Sequence, residues 1–245
     1  MHVGVVVPAR DEQAFIARCL DALAVARERV TVPVTVVVVA DSCDDATAEV
    51  ASSFADVIVR RVNDGNVGAA RSVGSRIALD QGCTWLAHTD ADSVVPPHWI
   101  HEQVMLANAG YDVIVGTVRP DFADLSAAHV EQWRATHERG KPNGHVHGAN
   151  LGVRAATYRS VGGFAHLAEH EDNDLVDRLV AMDAAIIASD RAEVMTSGRL
   201  QGRTAGGYAG YLRQVAADLE ITQWARGEEK GPAAKTTTAS RRGPA

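Results

Sequence analysis

The sequence predicts an α/β fold in which a mostly parallel sheet is flanked by helices. Three observations lead there. Short β-branched runs alternate with stretches of helical periodicity. The runs are apolar throughout rather than every second residue, as strands buried on both faces require. The polar segments fall just after those runs, at the carboxyl edge where such sheets bind ligands.

The elements follow in order. Val3–Val7 is a buried-strand candidate, and residues Glu12–Val30 carry Phe15, Ile16, Cys19, Leu20 and Leu23 at helical spacing. Val34–Val39 is a second strand. Asp44–Phe54 reads as a helix whose early Asp and Thr residues suit an N-terminal dipole. Val57–Val62 is a third strand, Val67–Gln81 a helix with small residues along one side, Thr84–His88 a fourth strand and Val113–Val118 a fifth. Beyond Arg119 the rhythm changes. Phe122–Gly140 reads as an amphipathic helix, and Gly140–Asn150 as a Gly/His/Asn loop. Helices are expected near Ala155–Val161 and from about Asp172 to Met182, followed by a short strand Ala185–Ala188 and a last helix Gly206–Trp224. Gly227–Ala245 has almost no large apolar groups and reads as a disordered tail. The expected organisation is one domain over 1–226, with a nucleotide-binding half (1–118), an acceptor-side half (119–226) and the tail 227–245.

Composition narrows the function. The 245 residues are 46% hydrophobic, enough for a substantial core, and the formal net charge of -7 argues against bulk nucleic-acid binding. The odd count of three cysteines, none in a CxxC pair, argues against a disulfide framework or a structural zinc site. No apolar stretch is long enough to cross a bilayer and the chain starts directly on a strand-like run, so a cytoplasmic protein without an integral membrane segment is expected.

Asp90-Ala91-Asp92 directly follows the fourth strand. Two carboxylates one residue apart at a strand end can approach one divalent ion, and hard cations such as Mn²⁺ or Mg²⁺ share such oxygen shells with substrate phosphates. A solvated turn is the plain alternative. Among the histidines, His145 and His147 flank Val146, and His166 and His170 are spaced for one helical face. Neither pair has a CxxC or HExxH context that would make it a zinc site. Trp99, Trp133 and Trp224 read as core or interface residues, with Trp133 also placed to stack on a sugar.

Several segments together resemble the family 2 glycosyltransferases of the GT-A type. Val5–Glu12 resembles that family's opening strand and proline-containing loop. Val38–Thr47 resembles its paired-Asp nucleotide motif, with Ala40 where the first acid is usual. Asn66–Arg71 resembles its donor-side loop, and Thr89–Asp92 its metal motif. Gly148–Leu151, Gly162-Gly163-Phe164 and Glu171–Asp174 resemble its acceptor-side half. The match runs over residues 3–204 in the family's order. It implies a Rossmann-like GT-A (nucleotide-diphospho-sugar transferase) fold and a transfer of sugar from UDP- or GDP-sugar, divalent-metal dependent and inverting.

The resemblance assigns roles residue by residue. Pro8, Ala9, Arg10 and Glu12 line the base and ribose pocket. Asp41 accepts from a base edge, or else caps the helix beginning near Asp44. Asn66, Gly68, Arg71, Asp90 and Ala91 face the nucleotide-sugar, with Arg71 suited by its planar fork to phosphate or to Asp90. Asp90 and Asp92 hold the metal. Glu171 and Asp172 are the candidate catalytic pair, with Asp172 as the base that takes the acceptor hydroxyl's proton. Adjacent acids opening a helix also complement its dipole, which is the bland account of the same pair. His147, Gly148, Ala149 and Asn150 lie on the acceptor side. Arg199 and Arg203, in a Gly-rich stretch, are expected to contact the pyrophosphate. The acceptor itself and the oligomeric state stay open, a homodimer included.

Three other readings compete. A metal-dependent nucleotidyltransferase would carry a Gly-rich basic loop after the first strand, where Pro8–Glu12 has no glycine. A non-catalytic nucleotide-binding protein would have no need of Asp90, Asp92, Glu171 and Asp172 together. A dinucleotide-dependent oxidoreductase would need GxGxxG after the first strand, which is missing.

Overall fold

The computed structural model describes residues 1–202 and 207–225. Four parallel strands form one half of the sheet: β1 (Val3–Ala9), β2 (Val34–Asp41), β3 (Val57–Val62) and β4 (Trp85–His88). The other half contains β5 (Ser93–Val94), β6 (Val113–Pro120), β7 (Leu151–Arg154) and β8 (Ile186–Thr196). The order across the eight strands is β3-β2-β1-β4-β7-β6-β8-β5. The predicted fifth strand, β6, is therefore not the neighbour of β4. β7 is inserted antiparallel between them. That strand is only Leu-Gly-Val-Arg, too short for its period to show among glycines and histidines.

The helices α1 (Ile16–Arg27), α2 (Thr47–Ser52), α3 (Val67–Asp80), α4 (Trp99–Asn108), α5 (Ala127–Thr136), α6 (Ala155–Ser160), α7 (Glu171–Ala181) and α8 (Tyr208–Ala225) fill the connections. Two apolar layers result. One joins Val3, Val5, Val7, Val36 and Val38 to Ile16, Leu20 and Leu23 of α1 and to Trp99 and Ile100 of α4. The other joins Val6, Val37, Val39 and Leu151 to Ala70 and Ala78 of α3 and to Leu175 and Leu179 of α7. Continuous valine runs are what a sheet covered on both faces needs. The small residues of α3 let it lie close: a Cβ on Gly74 would meet Val6 Cγ1 at 2.5 Å.

Two boundaries differ from the sequence reading. The helix expected over Phe122–Gly140 divides into a 3₁₀ turn Phe122–Asp124 and α5, because Ser126 accepts from the His129 N–H and restarts the helix. β8 runs to Thr196, well past the predicted Ala188. Its outer half pairs with Val118–Pro120 beyond an irregularity after Gly116, and this carries the chain back to the carboxyl edge of the sheet. The predicted tail 227–245 lies outside the described residues.

Candidate active site

The carboxyl ends of β1, β2 and β4 bring the predicted acids to one edge. Ala91 packs into the core at 2% exposure and fixes the turn between Asp90 and Asp92. Asp90 Oδ1 accepts from Arg71 Nη2 at 2.6 Å. Asp92 Oδ2 lies 3.0 Å from Arg199 Nη2, and Thr196 Oγ1 donates to Asp92 Oδ1 at 3.3 Å. Burial first, and then the Asp90 and Glu12 charges, push the Asp92 carboxyl well above the usual carboxylate range, against Arg199 and the Thr196 hydroxyl. Complete burial, and then the Asp92 and Asp90 charges, raise the Cys19 thiol, which donates to the Asp90 carbonyl.

Arg71 is the central connector. It leaves α3 only 3% exposed, and its guanidinium meets three partners. Nη2 binds Asp90, Nε donates to Glu171 Oε1 at 2.9 Å, and Nη1 donates to the Gly148 carbonyl at 2.9 Å. Position 148 must be glycine for this, since a Cβ there would stand 2.3 Å from Arg71 Nη2. Arg71 thus meets Asp90, one of its two expected partners, and also donates to Gly148 and Glu171 in the second half of the chain.

Glu171 and Asp172 open α7 but differ in environment. Glu171 is 5% exposed, tied to Arg71, and raised by burial. Asp172 Oδ2 accepts from the Gly148 N–H at 2.7 Å, and Oδ1 accepts from the Asn173 backbone and side chain. Of the pair, the half-buried Asp172 is the one open to a ligand. His147 sits beside it, its ring edge-on to Tyr208 at 6.0 Å. Burial pushes His147 down to about 4, against the pull of Asp172, so it is neutral near pH 7.

Glu12, expected in the base and ribose pocket, has an unexpected partner in Arg199. Glu12 is 5% exposed and clasps Arg199 with both oxygens, at 2.6 and 2.9 Å. This pair joins positions 187 residues apart, a closeness no local sequence signal could reveal. Arg203 lies outside the described residues.

The sequence matches the family described as Glycosyl transferase family 2 over residues 4–161. The chain belongs to that family. Similar solved structures include S. aureus TarS 1-349 in complex with UDP-GlcNAc, at TM-score 0.66 and 16% identity, covering 89% of this chain and 66% of that one. A mannosyltransferase from Pyrobaculum calidifontis, in complex with GDP-Man and Mn²⁺, superposes at TM-score 0.61 and 20% identity over 94% of this chain and 66% of its own. Mannosyl-3-phosphoglycerate synthase from Rubrobacter xylanophilus superposes at TM-score 0.60 and 17% identity, over 96% and 78%. The chain spans 44% of the longer TarS structure. No curated protein matches the sequence. The fold is that of the GT-A glycosyltransferases.

Several residues expected to face ligand also hold the scaffold. Asp41 does not cap the helix near Asp44. Its Oδ1 accepts from the Asp64 and Gly65 N–H groups and from the Ser42 hydroxyl, and its Oδ2 from the Asn66 N–H. Asn66 caps α3 through the Ala69 N–H and donates its amide to the His166 carbonyl. Gly68 lets residues 165–167 close against α3: a Cβ would stand 2.2 Å from the Ala165 carbonyl. Asn150, 2% exposed, accepts from Trp99 Nε1 and donates to the Thr117 and Ala192 carbonyls, and Ala149 lies in the core. Pro8 and Ala9 are buried strand residues paired with Val39 and Ala40, while Arg10 stands exposed near Gly65.

The residues suit a divalent cation on their own chemistry. Asp90 and Asp92 offer only oxygen donors, the kind that hard divalent cations prefer. A second set of donor atoms, from Asp11, Cys43 and Asp45, lies within 4.8 Å of one another where β1 and β2 end. Its Asp11 accepts from the Asp44 N–H, Asp45 accepts from the Gln13 N–H, and burial raises the Cys43 thiol. Those acids serve the two loops, and a protonated thiol is a poor ligand. Among the described residues, no cluster of three metal-donor side chains includes a histidine, and no helix is long and apolar enough to cross a membrane.

Proposed function

We propose that the protein transfers a sugar from a UDP- or GDP-sugar to an acceptor hydroxyl with inversion, with Asp90 and Asp92 holding Mn²⁺ or Mg²⁺. The observation that carries this reading is the Arg71 bridge. One buried guanidinium ties the strand-end acid Asp90 to Glu171 at the start of α7, so both halves contribute carboxylates to one cleft edge. Neighbours of the same fold were solved with UDP-GlcNAc and with GDP-Man and Mn²⁺, which supports a nucleotide-sugar donor here. A bound divalent ion would supply charge neutralisation for the leaving diphosphate.

The chain's own residues divide the remaining work. Asp172 accepts the proton of the acceptor hydroxyl as its oxygen bonds to the anomeric carbon. The bond from that carbon to the diphosphate oxygen breaks in the same step, and the electron pair leaves with the nucleoside diphosphate. The Gly148 N–H orients Asp172, and neutral His147 offers a partner to a sugar hydroxyl. Arg71 and Glu171 position rather than react, because each is committed to the other. Asp41 fixes the loop of residues 64–66 beside the base site and keeps acceptor capacity on Oδ2.

Slow release of nucleoside diphosphate from UDP- or GDP-sugars, with water as acceptor, tests the assignment. Asp172→Asn should lower turnover roughly 10²–10⁴-fold while leaving nucleoside diphosphate affinity intact. Unchanged turnover in Asp172→Asn would remove the base from this residue.

A further inference from the structure

We propose that Arg199 is the resident counter-cation of the metal-binding acids. Held by Glu12, it neutralises Asp92 until a divalent cation takes its place, and the N–H it frees then serves the diphosphate. The inference rests on the donor-site reading above.

The geometry of the fork carries it. Arg199 Nη1 and Nη2 reach Glu12 Oε2 and Oε1 at 2.9 and 2.6 Å, and Nη2 also lies 3.0 Å from Asp92 Oδ2. One nitrogen is therefore shared between two carboxylates. The Glu12 arm is bidentate, the strong form of this contact, and the Asp92 arm is single and longer. Asp92 is the partner that can be given up. Glu12 itself is fixed, since its N–H donates to Thr47 Oγ1 at 2.7 Å and its side chain is buried. The Arg199 guanidinium also lies over the Phe15 ring, 5.5 Å from its centroid.

Competition follows from electrostatics. A divalent ion on Asp92 would sit within a few ångströms of the guanidinium, where like charges repel strongly at the edge of a protein interior. Both cannot hold Asp92. The backbone around Arg199 is tied down: the Gly198 N–H donates to Asp124 Oδ2 at 2.8 Å, and the Arg199 N–H to Ser197 Oγ. The exchange is thus a shift of one side-chain nitrogen pivoting on Glu12, not a swing of the segment. With 29% of its side chain exposed, Arg199 presents an open flank to an incoming phosphate.

Calorimetric titration of the full chain with Mn²⁺ alone, and with UDP or GDP in saturating Mn²⁺, tests this on the wild type, Arg199→Gln and Asp92→Asn. Arg199→Gln should bind Mn²⁺ alone roughly threefold to tenfold more tightly, and the nucleoside diphosphate at least about tenfold more weakly. A structural role would weaken both together or change neither, and either outcome overturns the exchange. Asp92→Asn separates the two levels. If it abolishes Mn²⁺ binding while Arg199→Gln leaves that binding unchanged, only the exchange falls. If Mn²⁺ binds Asp92→Asn as well as wild type, or binds neither protein, the donor-site reading falls with it. Should Arg199→Gln misfold through the bared Glu12, wild-type arginine side-chain ¹⁵N resonances give the same answer, with Arg199 identified by its loss in Arg199→Lys. Its signal should shift on Mg²⁺ alone and again on adding UDP or GDP. A signal unmoved by saturating Mg²⁺ would overturn the proposal.

Discussion

Arg71 Nε donates to Glu171 Oε1 at 2.9 Å across 100 positions of the chain, and both side chains are almost wholly buried. A buried pair of this kind is costly to break from one side, because the orphaned charge stays in the interior. Arg71→Met should therefore destabilise the fold by about 3–5 kcal/mol. It leaves Glu171, Asp90 and the Gly148 carbonyl without their shared donor. Urea unfolding measures this. A loss no larger than that of an exposed pair would show that water replaces the guanidinium.

Asn150 makes three hydrogen bonds from a site 2% exposed. Asn150→Ala should cost roughly 1–3 kcal/mol for each buried group left unpaired, while nucleoside diphosphate affinity holds. Comparison of thermal unfolding with nucleotide titration decides. A stable variant with impaired transfer would return Asn150 to the acceptor site.

Gly68 donates its N–H to the Leu167 carbonyl at 3.1 Å, and a Cβ there would meet the carbonyls of Ala165 and Leu167 at 2.2 and 2.8 Å. Backbone cannot yield as a side-chain tip can. Gly68→Ala should lower stability by about 1–3 kcal/mol, as overpacking does, read as a lower unfolding midpoint. An unaltered midpoint would mean that residues 165–167 part freely from α3.

His147 gives the pH dependence. Its folded value near 4 lies below the usual 6.5, chiefly through burial. The unfolded chain binds the extra proton first, so this stability is complete above about 6.5 and drains away as pH falls towards about 4. The full loss approaches about 3 kcal/mol. His88, fully buried on β4, is pushed in the same direction by burial and by Arg71. Unfolding midpoints in mild acid and near neutrality should differ less in His147→Gln than in wild type. An identical pH slope in both would place the titration elsewhere.

The strand ends are legible because apolar runs broken by Pro8, Asp41 and Asp90 leave few other foldings. So is the meeting of Asp90 with Arg71. Residue type marks Asp41, Asn66, Gly68 and Asn150 as candidate ligand contacts but is silent about which partner arrives. A carboxylate accepts a loop N–H as readily as a base N–H, and a glycine admits a neighbouring carbonyl as readily as a phosphate. The Glu12–Arg199 clasp and the short strand β7 were hidden for another reason. Both depend on long-range placement that no local period encodes.

The proposed function stands on a metal-dependent donor site at Asp90 and Asp92. Thermal unfolding with UDP, GDP and their sugars, with and without Mn²⁺, on wild type and Asp92→Ala tests it most directly. Nucleotides of one base should stabilise the protein only when Mn²⁺ is present, and Asp92→Ala should lose the effect. Stabilisation that ignores Mn²⁺ and survives in Asp92→Ala would contradict it.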